Sequence, residues 1–216
     1  MVGALNYLAV TMCPNIAYAV SHLAHFNSNL GLTHWAAVKH LLHYLQGTID
    51  LALTFAPDPS TKLFQTWTDA NHGGNLDNGR STSGFITKVG TGAISWASKL
   101  QNFVTLSTTE AKFVASVFAG TENIWLRNLF SELGSRLEKP SYLYINNQST
   151  LSVAKNPEHH GRMKHLDLRY FWLREKVIQK TIQIRYIPTS SMPADLLTKA
   201  LPCELVERHQ HTMGLL

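Results

Sequence analysis

The chain has 216 residues, enough for one large domain or one domain with an added segment, and its 44% hydrophobic content can supply a core. Two cysteines, Cys13 and Cys203, make neither a disulfide framework nor a zinc site, so the expected setting is reducing, intracellular and cytoplasmic. The formal charge of +5 favours a polyanionic partner, no apolar run reaches the length of a membrane span, and Met1–Val10 lacks the basic flank of a signal peptide.

Residues 1–57 read as helical. Ala17, Val20, Leu23, Ala24 and Phe26 make a rough helical stripe after Pro14. Thr33 is the expected cap of a second helix, with Trp35, Val38, Leu41, Leu42 and Leu45 along one face and Gly47 as its stop. Such helices cannot bury their faces alone and need a neighbour. Pro57-Asp58-Pro59-Ser60 is a plausible linker, which divides the chain into residues 1–57 and 58–216. Beyond it the period changes. Leu63–Asp69 reads as a strand, and Gly84–Val89 with Ala93–Ala97 as a hairpin about Gly90-Thr91-Gly92. Ser107 opens a long helix with Val114, Val117, Phe118, Trp125, Leu129 and Leu133 at helical spacing, closed by Gly134. Tyr142–Ile145 is a short strand, followed by helices over Gln148–Ala154 and Leu166–Ile178. Ile182, Ile184 and Tyr186 alternate as a strand that Pro188 ends, and Pro193 marks the start of a terminal helix. The fold class is α/β, a mixed sheet flanked by helices and preceded by a short helical segment. Four of the five tryptophans, Trp67, Trp96, Trp125 and Trp172, are expected in the core rather than stacked on a ligand.

Four positions stand where chemistry is expected. Asp69 ends a strand, Glu110 falls in the first turn of the long helix, Asn146 ends another strand, and Asp195 starts the terminal helix. Strand ends and helix starts converge on one edge of a sheet, and carboxylates gathered there are costly unless cations neutralise them. Mg²⁺ prefers hard oxygen ligands, which suits Asp and Glu. Each residue also has a structural reading. Ser107-x-x-Glu110 is a capping box, Asp195 complements a helix dipole, and Asp69 before Asn71, Gly73 and Gly74 suits a turn. Arg162, Lys164, Arg169, Arg174 and Lys176 form a basic run on or beside one helix; it is either a phosphate-contacting surface or a solvated face.

The residues around these positions carry a resemblance. Trp67-Thr68-Asp69-Ala70, Arg80-Ser81-Thr82-Ser83-Gly84, Ile94-Ser95-Trp96, Leu106-Ser107-Thr108-Thr109-Glu110-Ala111, Asn147-Gln148-Ser149, Lys164-His165-Leu166-Asp167-Leu168-Arg169-Tyr170 and Ala194-Asp195-Leu196-Leu197-Thr198-Lys199 occur in this order. Together they resemble the ribonuclease H domain of copia-type LTR retrotransposon Pol polyproteins. Val2-Gly3-Ala4-Leu5-Asn6-Tyr7-Leu8-Ala9 and His34-Trp35-Ala36-Ala37-Val38-Lys39 are similar to the end of the reverse transcriptase that precedes it.

The resemblance implies a ribonuclease H-like fold and hydrolysis of the RNA strand of an RNA–DNA hybrid. It also implies two Mg²⁺ ions, with Mn²⁺ as a substitute, and an upstream reverse transcriptase domain as a partner. By that likeness Asp69, Glu110, Asn146 and Asp195 are the catalytic positions, with Asp69, Glu110 and Asp195 as metal ligands. Arg162, Lys164, Arg169, Arg174 and Lys176 are the nucleic-acid contacts. Asn146 departs from the family's aspartate and leaves the carboxylate set one charge short. A unit charge at ~4 Å and an effective dielectric of ~20 is worth up to roughly 4 kcal/mol, or about three powers of ten in rate. Strongly impaired cleavage is therefore expected, and the alternative is a catalytically inactive nucleic-acid-binding remnant.

Overall fold

The computed structural model describes residues 1–58, 64–135, 137–155 and 167–216, the side chains of 153, 155 and 167–170 excepted. Five strands form a single sheet in the order β3-β2-β1-β4-β5. They are β1 (Gln65–Asn71), β2 (Thr82–Val89), β3 (Gly92–Leu100), β4 (Ser141–Ile145) and β5 (Ile182–Tyr186). Strands β1, β2 and β3 are antiparallel neighbours, while β4 runs parallel to β1 and β5 parallel to β4. The expected hairpin is present, and Gly90 at its tip has φ +60°, a conformation that a residue without Cβ adopts freely.

The long helix α4 (Thr108–Glu132) lies on one face of this sheet. Phe85, Phe113, Ala119, Leu143, Ile145, Leu173, Ile182 and Ile184 form the core there, joined by α5 (Gln148–Lys155) and α6 (Asp167–Ile178). The expected α4 stripe is corrected in part. Trp125 and Leu133 are exposed, and Val114, Val117 and Phe118 are only partly buried. The face turned inward is Ala111, Phe113, Ala115, Ser116, Ala119, Gly120, Asn123 and Leu126. Small residues bring the helix close to the sheet, as where Ala70 of β1 meets Ala111 and Ala115. Counting large apolar side chains misses such a face. Asn123 is buried because it donates to Thr66 Oγ1 at 2.9 Å, and Thr66 pairs with Thr87 across the strands at 2.9 Å.

The opposite face of the sheet buries Trp67, Ile86, Ala93, Met192, Ala194, Leu196, Leu197 and Met213. The terminal helix expected from Pro193 is two elements. A 3₁₀ turn spans Pro193–Leu197, and helix α7 begins only at Cys203. Pro202 separates them, because it disfavours α geometry at the residue before it and cannot donate to a preceding turn.

Helices α1 (Val2–Thr11), α2 (Ala17–Ala24) and α3 (Leu32–Gly47) share a core of Val2, Leu5, Ala9, Ile16, Val20, Leu23, Val38 and Leu41. Two details of α3 differ from expectation. Its cap is Gly31, whose N–H is accepted by His34 Nδ1 at 3.1 Å, and not Thr33. Trp35 and Leu42 are exposed.

These helices sit on the sheet and on α7. Trp96 Nε1 donates to the Ala9 carbonyl at 2.7 Å, one of the carbonyls that the end of α1 leaves without a helical partner. The Tyr44 hydroxyl accepts from Asn15 at 2.7 Å and from Gln210. Residues 52–54 pair with the chain end through Ala52 N–H to Leu216 O at 2.8 Å and its reciprocal at 3.0 Å. Among the described residues no helix is long and apolar enough to cross a membrane.

Replacing Trp96 by Phe keeps the ring packing and orphans the Ala9 carbonyl. The expected loss is about 1 kcal/mol in urea unfolding, with faster proteolysis within residues 1–50. Unchanged stability and unchanged proteolysis would show that the hydrogen bond does not hold α1 in place.

Candidate active site

Asp69 stands near the end of β1, paired in register with Gly84 of β2. A Cβ at position 84 would lie 2.8 Å from Leu197 Cβ, 2.8 Å from Thr198 Cγ2 and 3.1 Å from the Ala194 carbonyl oxygen. The bare backbone at Gly84 therefore lets the Pro193–Leu197 turn lie across the β1–β2 pair, which brings Asp195 to Asp69. Both are buried, with only 2% and 5% of their surface exposed. The parallel register of β1 and β4 places Trp67 level with Tyr144, so Asp69 and Asn146, each two residues on, reach the same edge of the sheet.

Burial of two carboxylates side by side requires compensation. Lys112, from the second turn of α4, forms an ion pair with Asp69 Oδ1 and donates to Asn146 Oδ1 at 2.6 Å. Lys199 Nζ lies 2.8 Å from Asp195 Oδ2 and 3.9 Å from Asp69 Oδ2. The buried Thr198 hydroxyl is 3.2 Å from Asp69 Oδ2 and 3.1 Å from the Asp195 carbonyl, and its one proton serves one of them at a time. Two aspartates thus face two ammonium groups, and this cluster is balanced in formal charge.

The two carboxylates titrate as a pair. Burial works against the Asp69 charge. The Lys112 ammonium, a hydrogen bond with Asp195 and the more distant Lys199 outweigh it and hold Asp69 below its ordinary value. Burial, reinforced by the neighbouring Asp69 charge, pushes Asp195 up to about 6 against the pull of Lys199. Asp195 Oδ1 is buried and has no hydrogen-bond partner.

Glu110 is buried at the start of α4, where Ser107 is the expected cap but the reciprocal bond of the capping box goes to Leu106 rather than Ser107. Its N–H donates to Ser107 Oγ at 3.1 Å, and its Oε2 accepts from the Leu106 N–H at 2.8 Å. Asn146 is half-buried, and besides the Lys112 contact its amide faces Thr189 Oγ1 at 3.5 Å. Among the described residues no group of three or more His, Cys, Asp or Glu side chains converges on one metal-sized position. Asp69 and Asp195 come together, and Asn146 joins them through Lys112.

Of the basic run, Arg162 and Lys164 lie outside the described residues, as does the side chain of Arg169. Arg174 is half-buried on α6 with its Nε enclosed, and Lys176 donates to Gln179 at 3.1 Å. Lys112, Thr198 and Lys199 were not among the expected site residues. Lys199 had a local signal, four residues after Asp195 in the same run. Lys112 had none, because its partners lie 43 and 34 positions away in sequence.

An antiparallel β1–β3 meander continued by parallel β4 and β5, with α4 across it and acidic residues at the end of β1, matches the ribonuclease H-like mixed sheet expected from the sequence. Over its whole length the chain is homologous to a segment of copia-type retrotransposon Pol polyproteins. It is 41% identical over 214 residues to the Retrovirus-related Pol polyprotein from transposon TNT 1-94 of Nicotiana tabacum, a match covering 99% of this chain and 16% of that one. With the corresponding polyprotein from transposon RE2 of Arabidopsis thaliana it shares 34% identity over 216 residues, all of this chain and 15% of that one. The chain therefore spans about a sixth of the length of these relatives. No family model matches it. Among solved structures it is similar to LC11-RNase H1 in complex with RNA/DNA hybrid, with TM-score 0.44 and 15% identity over 62% of this chain and 93% of that one.

Gly84→Ala tests the packing that builds the site. The added methyl has no space against Leu197 and Thr198, so unfolding free energy should fall by about 1–3 kcal/mol in urea titration. A variant as stable as the parent would mean that the Asp195 turn does not depend on the bare backbone of β2.

Proposed function

We propose that this chain is a ribonuclease H-like, retrotransposon-derived protein that engages RNA–DNA hybrid at the Asp69 edge of its sheet and hydrolyses the RNA strand only weakly. Its family supplies the substrate class. The observation that carries the weakness is the side chain at the β4 end. A neutral asparagine stands there and accepts a hydrogen bond from Lys112, which is also paired with Asp69.

The donor set fits one hard cation better than two. Asp69 and Asp195 are adjacent, both buried, and Asp195 Oδ1 has no hydrogen-bond partner, so these two residues would hold a single Mg²⁺ or Mn²⁺. Such an ion, when bound, supplies Lewis-acid polarisation at a phosphate oxygen. The side facing Glu110 and Asn146 does not fit a second ion. The Glu110 carboxylate is engaged by the Leu106 N–H, Asn146 brings no charge, and an ammonium group already lies between Asp69 and Asn146. Lys199 is one-third exposed beside both aspartates and would meet an incoming phosphate. Residues 1–57 are read as the end of a reverse transcriptase, whose remaining part would be the natural neighbour of the exposed Trp35 and Leu42.

The test is binding and cleavage of a labelled RNA–DNA hybrid by the purified chain. Salt-sensitive binding is expected. Cleavage should be close to background with Mg²⁺ and slow with Mn²⁺, about three powers of ten below a four-carboxylate site. Asp195→Asn should remove what cleavage remains. Rapid cutting with Mg²⁺ would overturn the impairment, and failure to bind hybrid at low salt would overturn the substrate.

A further inference from the structure

The ammonium of Lys112 has an unusual position for a charged helix side chain. It does not extend into solvent from α4 but turns to the sheet edge, with 20% of its side chain exposed. There it holds two oxygens from two different strand ends, Asp69 Oδ1 and, at 2.6 Å, Asn146 Oδ1. A small cation bridging the ends of β1 and β4 would contact the same two oxygens. Asn146 is suited to this arrangement. Its carbonyl oxygen accepts from the ammonium, while its Nδ2 faces Thr189 Oγ1. Lys199 neutralises the other aspartate at 2.8 Å, so Lys112 is not needed to balance Asp195.

We propose that Lys112 is a resident cation: its Nζ fills the position between Asp69 and Asn146 and excludes a second divalent ion from the site. The inference rests on the reading above that this edge derives from a carboxylate metal centre. It concerns the chain's own lysine, and it makes the β1–β4 edge independent of metal for its stability. A charge on Nζ competes with an incoming dication in two ways, by repelling it and by occupying its oxygen ligands.

Cation binding by the intact chain without nucleic acid tests this, so its outcome is separate from hybrid binding and cleavage. Mn²⁺ binding is followed by electron paramagnetic resonance, and melting temperature is measured with and without Mg²⁺. The parent chain should bind at most one Mn²⁺, and its melting temperature should respond little to Mg²⁺. Lys112→Met should melt lower than the parent without divalent ions, recover with Mg²⁺, and bind Mn²⁺ at least about tenfold more tightly. Lys112→Arg keeps the charge and should behave like the parent. Asn146→Asp with Lys112 in place should gain no second Mn²⁺, whereas Asn146→Asp combined with Lys112→Met should gain one.

A Lys112→Met chain with parental Mn²⁺ affinity and no added response to Mg²⁺ would overturn the proposal. If that variant does not fold, Asn146→Asp decides alone: a second Mn²⁺ bound beside an intact Lys112 would overturn it, and none would support it. If hybrid binding fails while these cation results hold, the substrate reading is wrong and the resident lysine stands.

Discussion

Two buried carboxylates in contact are the constraint on which this structure turns. Asp69 and Asp195 come from positions 126 residues apart, and each lies within a core of apolar side chains. Moving even one charge from water into such surroundings carries an effective penalty of several kcal/mol, and a second like charge adds to it. The chain answers with Lys112 on Asp69, Lys199 on Asp195 and the Thr198 hydroxyl at Asp69 Oδ2. Even so, burial beside the Asp69 charge raises Asp195 to about 6.

That arrangement dictates features far from the charges. Lys112 can reach β1 only if α4 lies close to the sheet, and the helix achieves this with Ala111 and Ala115 against Ala70. Asp195 can reach Asp69 only if the turn carrying it passes directly over β2, and Gly84 gives it room. The same turn supplies Ala194, Leu196 and Leu197 to the second core, so packing and charge compensation are one structural event. The polar ladder of Asn123, Thr66 and Thr87 continues the logic along α4, because a helix held this near the backbone has space for hydrogen-bonded small groups but not for large apolar ones.

Sheet elements were legible in the sequence because their signals are local. Period-two alternation marked β5, and a glycine-flanked turn marked the β2–β3 hairpin. The inner face of α4 was not legible from apolar spacing, since alanine, serine, glycine and asparagine make most of it, and Trp125 faces outward despite its place in the stripe. The break after Leu197 is written in Pro202, and Pro193 starts only a 3₁₀ turn. At the site, Asp69 and Asp195 could be brought to one end of the sheet from their strand-end and helix-start readings. Lys112 could not, because its role exists only once parallel pairing of β1 and β4 brings Asn146 level with Asp69.

Asn146 and Lys112 have to be considered together. An aspartate at 146 would face Asp69 across the sheet edge and raise the electrostatic cost of folding unless a cation stood between them. With asparagine there, one negative charge is absent, and a single ammonium satisfies both oxygens that remain. The edge is then stable on its own residues, and folding carries no linkage to a metal concentration at that position. A substitution proposed to weaken hydrolysis thus comes with a neighbour that removes its structural consequence. This accounts for an intact sheet, a closed core and a well-compensated acidic pair in a chain with asparagine at the end of β4.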